Sequence, residues 1–138
     1  MKVLILDDDD KRHRLFSRSR EFADHELKHT TTFMQAKNEL LFEGPYDLVM
    51  LDYDLNDNQY RSMTDEFEKY TGYELAKVIV EEMPEEKRPM VIVHSWNHWG
   101  GKYTTEYLED NKVWVRRWEF KNDMKNIPLP AGPRLRKK

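Results

Sequence analysis

Three groups of polar residues could do chemistry together. They are the run Asp7-Asp8-Asp9-Asp10, the pair Asp52 and Asp54, and the run His94-Ser95-Trp96-Asn97. Crowded carboxylates repel and raise one another's pKa unless a cation neutralises them, and hard oxygen ligands select Mg²⁺ over softer metals. His94 adds a side chain of the type that titrates near neutrality. An acidic run can also cap a helix, but capping needs only one of four consecutive carboxylates.

Each group follows a short apolar run. Val3-Leu4-Ile5-Leu6 precedes Asp7, Leu48-Val49-Met50-Leu51 precedes Asp52, and Met90-Val91-Ile92-Val93 precedes His94. Such runs, bounded by breakers, read as strands buried on both faces. In open parallel α/β sheets, ligands collect outside the carboxyl ends of the strands. Three parallel neighbours would therefore converge these side chains on one pocket.

The connections read as helices. Asp9 or Asp10 can cap one reaching to about residue 23, and Thr32 caps one carrying Phe33, Ala36, Leu40 and Leu41 until Gly44-Pro45 stops it. Thr71-Gly72-Tyr73-Glu74 opens the strongest helix, with Leu75, Val78, Ile79 and Met83 on one face and Pro84 at its end. Residues 25–29 form an expected edge strand, and residues 112–118 a last strand. Gly100-Gly101 is expected to separate the end of the fourth strand from a helix over residues 103–109. The stretch 56–70, with Met63 and Phe67 as its anchors, is long enough to be a functional lid or a disordered segment. The order β-α-β-α-β-α-β-α-β implies a doubly wound, five-stranded parallel α/β sheet with the last helix short or absent. Residues 1–120 form the expected domain, and residues 121–138 a Pro-rich basic tail ending in Arg134-Leu135-Arg136-Lys137-Lys138.

A chain of 138 residues fits one domain. The absence of cysteine excludes disulfides, thiolate nucleophiles and zinc-thiolate sites. A net charge of −3 argues against a generic nucleic-acid binder. Neither a membrane span nor a signal peptide is visible, so a cytoplasmic location is expected. No Gly-rich phosphate loop, Gly-x-Ser-x-Gly or His-Glu-x-x-His is present. His29-Thr30-Thr31 superficially matches one element of two-histidine phosphoesterases, but a second such element is missing.

The motifs Leu4-Ile5-Leu6-Asp7-Asp8, Leu51-Asp52, Gly72-Tyr73-Glu74-Leu75 and Pro89-Met90-Val91-Ile92-Val93 occur in order and at suitable intervals. Over about residues 1–118 the chain resembles the receiver domain of two-component response regulators, a flavodoxin-like fold. The resemblance implies Mg²⁺ held by Asp8 and Asp52, with the carbonyl of Asp54 as a further donor and Asp7 as a partner that reaches the ion through a ligand or a water. It also implies Asp52 as phospho-acceptor.

Four departures modify that expectation. His94 stands where receivers carry Ser or Thr, with Ser95 following it. Arg116-Arg117 stands where they carry an invariant Lys. The segment from Asp52 to Gly72 spans 72 − 52 = 20 positions, longer than usual, and the fifth helix is not apparent. A histidine beside a metal-bound phosphate suits protonation of a leaving alkoxide, and a guanidinium fork suits two phosphate oxygens.

The Asp…Asp…His-Ser-Trp-Asn pattern is similar to a divergent receiver family described as processing cyclic phosphates. It implies a stand-alone Mg²⁺-dependent phosphoesterase, monomeric or weakly dimeric, acting on an RNA 2′,3′-cyclic phosphate end or a cyclic nucleotide. Asp52, His94, Asn97, Arg116 and Arg117 would be its catalytic residues, Ser95 and Arg117 would bind phosphate, and Trp96 and Trp99 could stack on a base or pack. Two alternatives remain. One is a single-domain regulator phosphorylated on Asp52 with a histidine kinase as partner; the other is a degenerate receiver acting by binding alone.

Overall fold

A computed structural model describes residues 1–55 and 70–130. Of the stretch 56–70, expected as a functional lid or a disordered segment, residues 56–69 with Met63 and Phe67 lie outside the described residues, as does the basic end of the tail. Five strands form one parallel sheet: β1 (Lys2–Leu6), β2 (Glu26–Thr30), β3 (Leu48–Leu51), β4 (Met90–Val93) and β5 (Val115–Arg117), in the order β2-β1-β3-β4-β5. This is the doubly wound, flavodoxin-like order. The polar residues 26–29 make a strand because only one side of β2 is paired; its burial is slight until Thr30.

The helices are α1 (Asp10–Arg18), α2 (Phe33–Asn38), α3 (Gly72–Glu82) and α4 (His98–Asp110). Short 3₁₀ turns occupy Arg20–Phe22 and Glu85–Lys87, and a π-turn, Glu39–Glu43, prolongs α2. Thr32 caps α2 through a full capping box with Gln35, and Thr71 caps α3. Among the described residues no helix is long and apolar enough to cross a membrane.

Two expected boundaries change. Helix α1 ends at Arg18 rather than near 23, because Ser19 turns extended and its hydroxyl caps the following 3₁₀ turn. Helix α4 begins at His98, with Gly100 and Gly101 inside it. A β-carbon on Gly100 would lie 2.4 Å from the Tyr53 ring, and one on Gly101 would lie 2.6 Å from Arg117 Cζ. The glycine pair is a close-approach surface rather than a break.

Side chains along β1, β3 and β4 are buried on both faces and alternate between two cores. Leu4, Leu6, Val49, Leu51, Val91 and Val93 pack beneath α2, α3 and α4. Val3, Ile5, Leu48, Met50 and Ile92 pack with Phe16 and Phe22 on the other face. The second face is completed by Trp118, Phe120, Met124 and Ile127. Among the described residues no helix follows β5. The extended segment does the covering, each buried large apolar side chain contributing about 1.5–3 kcal/mol.

Candidate active site

Pairing continues one residue beyond the strands and sets the site. Asp7 donates its N–H to the Thr30 carbonyl, Asp52 to Leu6 and His94 to Leu51, at 3.1, 3.1 and 2.9 Å. Asp7, Asp52 and His94 thus leave the sheet at the same level. Asp9 serves as the cap of α1, accepting from Lys11 N–H at 2.8 Å, which leaves Asp7 and Asp8 available. Ligand oxygens of Asp7, Asp8 and Asp52 all lie within 4.8 Å of one another. Asp8 and Asp52 face an open cleft of about 570 Å³, lined also by Asp9, Asp10, Arg12, Asp54, Leu55, Ser95 and Trp96, with Asp7 buried behind them.

The three carboxylates differ electrically. Burial drives the Asp52 carboxyl up to about 8, Asp7 adds repulsion, and Arg12 offsets only part of this. Burial also raises Asp8, reinforced by the charge of Asp7. For Asp7 burial acts in the same sense but is outweighed by the His94 hydrogen bond, the Asp9 N–H and Arg12, so its carboxyl is held below the usual range. This crowding, made entirely of hard oxygen donors, fits a divalent cation such as Mg²⁺.

His94 is fully buried, and its Nε2–H donates to Asp7 Oδ2 at 2.8 Å. Phe16 and Phe120 pack against the imidazole, with ring centroids 5.4 and 6.4 Å away. The expected direct proton donor to a substrate is therefore corrected: the ring reaches Asp7 and contributes nothing to the cleft lining, because apolar rings close its other sides. Ser95, one residue on, does line the cleft, and its hydroxyl accepts from Asn97 N–H at 3.0 Å.

Asn97 caps α4. Its side-chain oxygen accepts from Gly100 N–H at 2.7 Å, and its amide donates to Asp54 Oδ1 at 3.2 Å. It holds Asp54 at the cleft edge rather than lining the cleft itself. Asp54 lies outside the three-carboxylate group.

The arginines at β5 are likewise corrected as phosphate clamps. Alternation along the strand sends Arg116 to the opposite face, where its guanidinium stacks 4.7 Å from the Trp114 ring. Arg117 turns toward α4, and its Nη2 donates to the Ser95 carbonyl at 3.2 Å. It braces the strand end from behind and is absent from the cleft lining.

Among the described residues the cation that lines the cleft is Arg12, which sequence reasoning missed. Its Nη1 lies 3.3 Å from Asp7 Oδ2 and 3.4 Å from Asp52 Oδ2, and its Nε lies 3.7 Å from Asp9 Oδ2. Helical side chains lean toward the helix N-terminus, so a cation in the first turn after an Asp cap points back at the acidic strand end. That was the available signal.

Trp96 is 65% exposed at the rim, its indole N–H donating to the Phe120 carbonyl at 2.8 Å. Trp99 and Tyr103 are exposed on α4. His29 instead lies 2.6 Å from His13 and 2.9 Å from the Ser17 hydroxyl, and Thr30 donates to the Ile5 carbonyl. The His29-Thr30-Thr31 triplet thus secures the β2 edge.

A sequence model of the cyclic-phosphate processing receiver domain matches residues 2–110. Among solved structures, the chain is similar to a CheY-like receiver domain protein from Methanospirillum hungatei JF-1 at 16% identity, covering 97% of this chain and 85% of that one, with TM-score 0.62. A CheY-like receiver domain from Methylobacillus flagellatus gives 20% identity, coverages of 92% and 87%, and TM-score 0.61. Response regulator TrrA from Thermotoga maritima, in complex with Mg(2+)-BeF, gives 17% identity, coverages of 87% and 85%, and TM-score 0.60. These likenesses establish the fold. No match was found among curated proteins.

Proposed function

The chain belongs to the cyclic-phosphate processing receiver domain family, and from that premise we propose that it is a Mg²⁺-dependent phosphoesterase opening a cyclic phosphodiester. Its substrate would be an RNA 2′,3′-cyclic phosphate end or a cyclic nucleotide. The observation that carries the reading is the gathering of Asp7, Asp8 and Asp52 within 4.8 Å beside a cleft that also holds a guanidinium, a hydroxyl and an exposed indole. The Thermotoga maritima regulator of the same fold is described in complex with Mg(2+)-BeF, which supports reading the carboxylate group as a Mg²⁺ site.

Asp8 and Asp52 would hold the ion, with Asp7 behind them. An ion held there would supply charge neutralisation of the non-bridging oxygens and draw charge from phosphorus. A carboxylate oxygen of Asp52 attacks phosphorus, one ring P–O bond breaks, and the departing alkoxide takes its proton from water in the open cleft. Water then releases the phosphomonoester from Asp52. His94 acts as a positioning residue, fixing Asp7 through a buried hydrogen bond. Trp96, its indole N–H anchored, offers a face for the base.

The test supplies purified protein and Mg²⁺ with a 2′,3′-cyclic nucleotide and, separately, acetyl phosphate. Turnover by the wild type, lost in Asp8→Asn and Asp52→Asn, is expected. The position of Asp52 just beyond the end of β3 also suits a phospho-acceptor served by a histidine kinase, the partner that the resemblance to response regulators implies. Stable labelling of Asp52 by acetyl phosphate, without turnover of any cyclic phosphate, would establish that second reading.

A further inference from the structure

The geometry points to Arg12 as the phosphate-binding cation of this site, held by the metal-binding carboxylates until a divalent ion displaces it. The inference deepens the phosphoesterase reading and rests on it for the identity of the anion, a phosphate ester. The fold family's expected cation position, at the end of β5, does not serve: Arg117 is spent on the Ser95 carbonyl and Arg116 on the Trp114 ring. Among the described residues, the guanidinium that lines the cleft and would meet an entering phosphate is that of Arg12.

Three observations support a mobile role. Hydrogen bonds to described residues come only from Nη1, at 3.3 to 3.5 Å, long for charge-assisted contacts. The partners are Asp7 and Asp52, two of the three carboxylates grouped for a cation, so the guanidinium and a metal ion seek the same charge. The guanidinium also lies over two rings, with Cζ 5.7 Å from the centroid of Trp96 and 5.4 Å from that of Phe120. Cation–π contacts can hold it at the cleft after its carboxylates are taken. An ion at Asp8 and Asp52 and a guanidinium freed above it would leave the fork's paired N–H groups for two phosphate oxygens.

A permanent structural counter-ion would behave differently, and opposite effects of one substitution separate the two. Mg²⁺ binding is titrated calorimetrically on wild type, Arg12→Ala and Arg12→Lys. Inorganic phosphate is then titrated at saturating Mg²⁺. Arg12→Ala is expected to bind Mg²⁺ about tenfold more tightly, since a competing cation is gone, and phosphate about tenfold more weakly. Arg12→Lys, which keeps the charge but loses the fork, should bind Mg²⁺ as wild type and phosphate with intermediate affinity. Unchanged phosphate affinity in both variants, or weaker Mg²⁺ binding in Arg12→Ala, overturns the inference. If Arg12→Ala does not fold, phosphate affinity in Arg12→Lys equal to wild type overturns it alone. These titrations read no turnover, so failure of the wild type to open a cyclic phosphate would sink the esterase reading without altering this result.

Discussion

His94 Nε2 and Asp7 Oδ2 lie 2.8 Å apart, with both side chains wholly inaccessible to solvent. Asp7 in turn stands beside Asp8 and Asp52, so the imidazole orients the carboxylate group from beneath. Replacement by alanine leaves Asp7 buried without its closest partner and opens space among Phe16 and Phe120. His94→Ala is expected to cost about 3 kcal/mol of stability and to weaken Mg²⁺ binding as well as turnover. Chemical denaturation and Mg²⁺ titration check this. A variant of unchanged stability and Mg²⁺ affinity that has lost only kcat would restore His94 as a direct proton donor.

The Asp52 carboxyl yields a pH dependence with a definite sign. Its ordinary value is 3.8, and in the folded protein it rises to about 8 because of burial and Asp7. The folded state therefore holds this proton more tightly than the unfolded state. Its stabilising contribution is complete below 3.8 and disappears as pH climbs through about 8. In EDTA, the melting temperature of wild type relative to Asp52→Asn should fall across that window. Saturating Mg²⁺ should flatten the difference, because the cation compensates the charge. Parallel profiles for wild type and Asp52→Asn in EDTA would show that Asp52 ionises normally.

Gly72 ties the start of α3 to the same carboxylate. A β-carbon built there would lie 2.2 Å from the Asp52 carbonyl oxygen and 3.0 Å from Tyr53 Cα, both backbone atoms with no rotamer to change. Gly72→Ala must push α3 away from the end of β3. A loss of about 3 kcal/mol is expected, with weaker Mg²⁺ binding because Asp52 shifts. Thermal melts and calorimetry decide it, and a variant melting with the wild type would mean that the two elements do not pack this closely.

The strands were legible because each buried one is a short apolar run between breakers, and their polar ends followed from the parallel topology. Side-chain direction at β5 was not. Over the three residues Val115–Arg117, hydrophobic alternation is too brief to fix register, and one residue's shift exchanges the faces of Arg116 and Arg117. The burial of His94 depends on Phe120 returning over the sheet after β5, a tertiary contact that local pattern does not encode. Gly100-Gly101 reads as a break on propensity, about 1 kcal/mol per glycine, yet the approach of Tyr53 and Arg117 requires glycine within α4. The place of Arg12 follows only once α1 is known to start at Asp10, because the backward lean of first-turn side chains then carries its guanidinium to Asp7 and Asp52.

Trp96 supplies the last expectation, which separates recognition from folding. Its ring is 65% exposed, so packing holds little of it, while the 2.8 Å bond to the Phe120 carbonyl fixes its orientation beside the cleft. An exposed indole with a set orientation is suited to stacking on a base at little entropic cost. Stacking on an aromatic side chain contributes about 1–3 kcal/mol per base. Trp96→Ala should therefore raise KM for a 2′,3′-cyclic nucleotide about tenfold, leaving Mg²⁺ affinity near wild type. Trp96→Phe, which keeps a π-face, should recover most of the loss. Steady-state kinetics beside a thermal melt decide between the roles: an unchanged KM with a lowered melting temperature would make Trp96 a clasp for the segment after β5, with no part in binding the base.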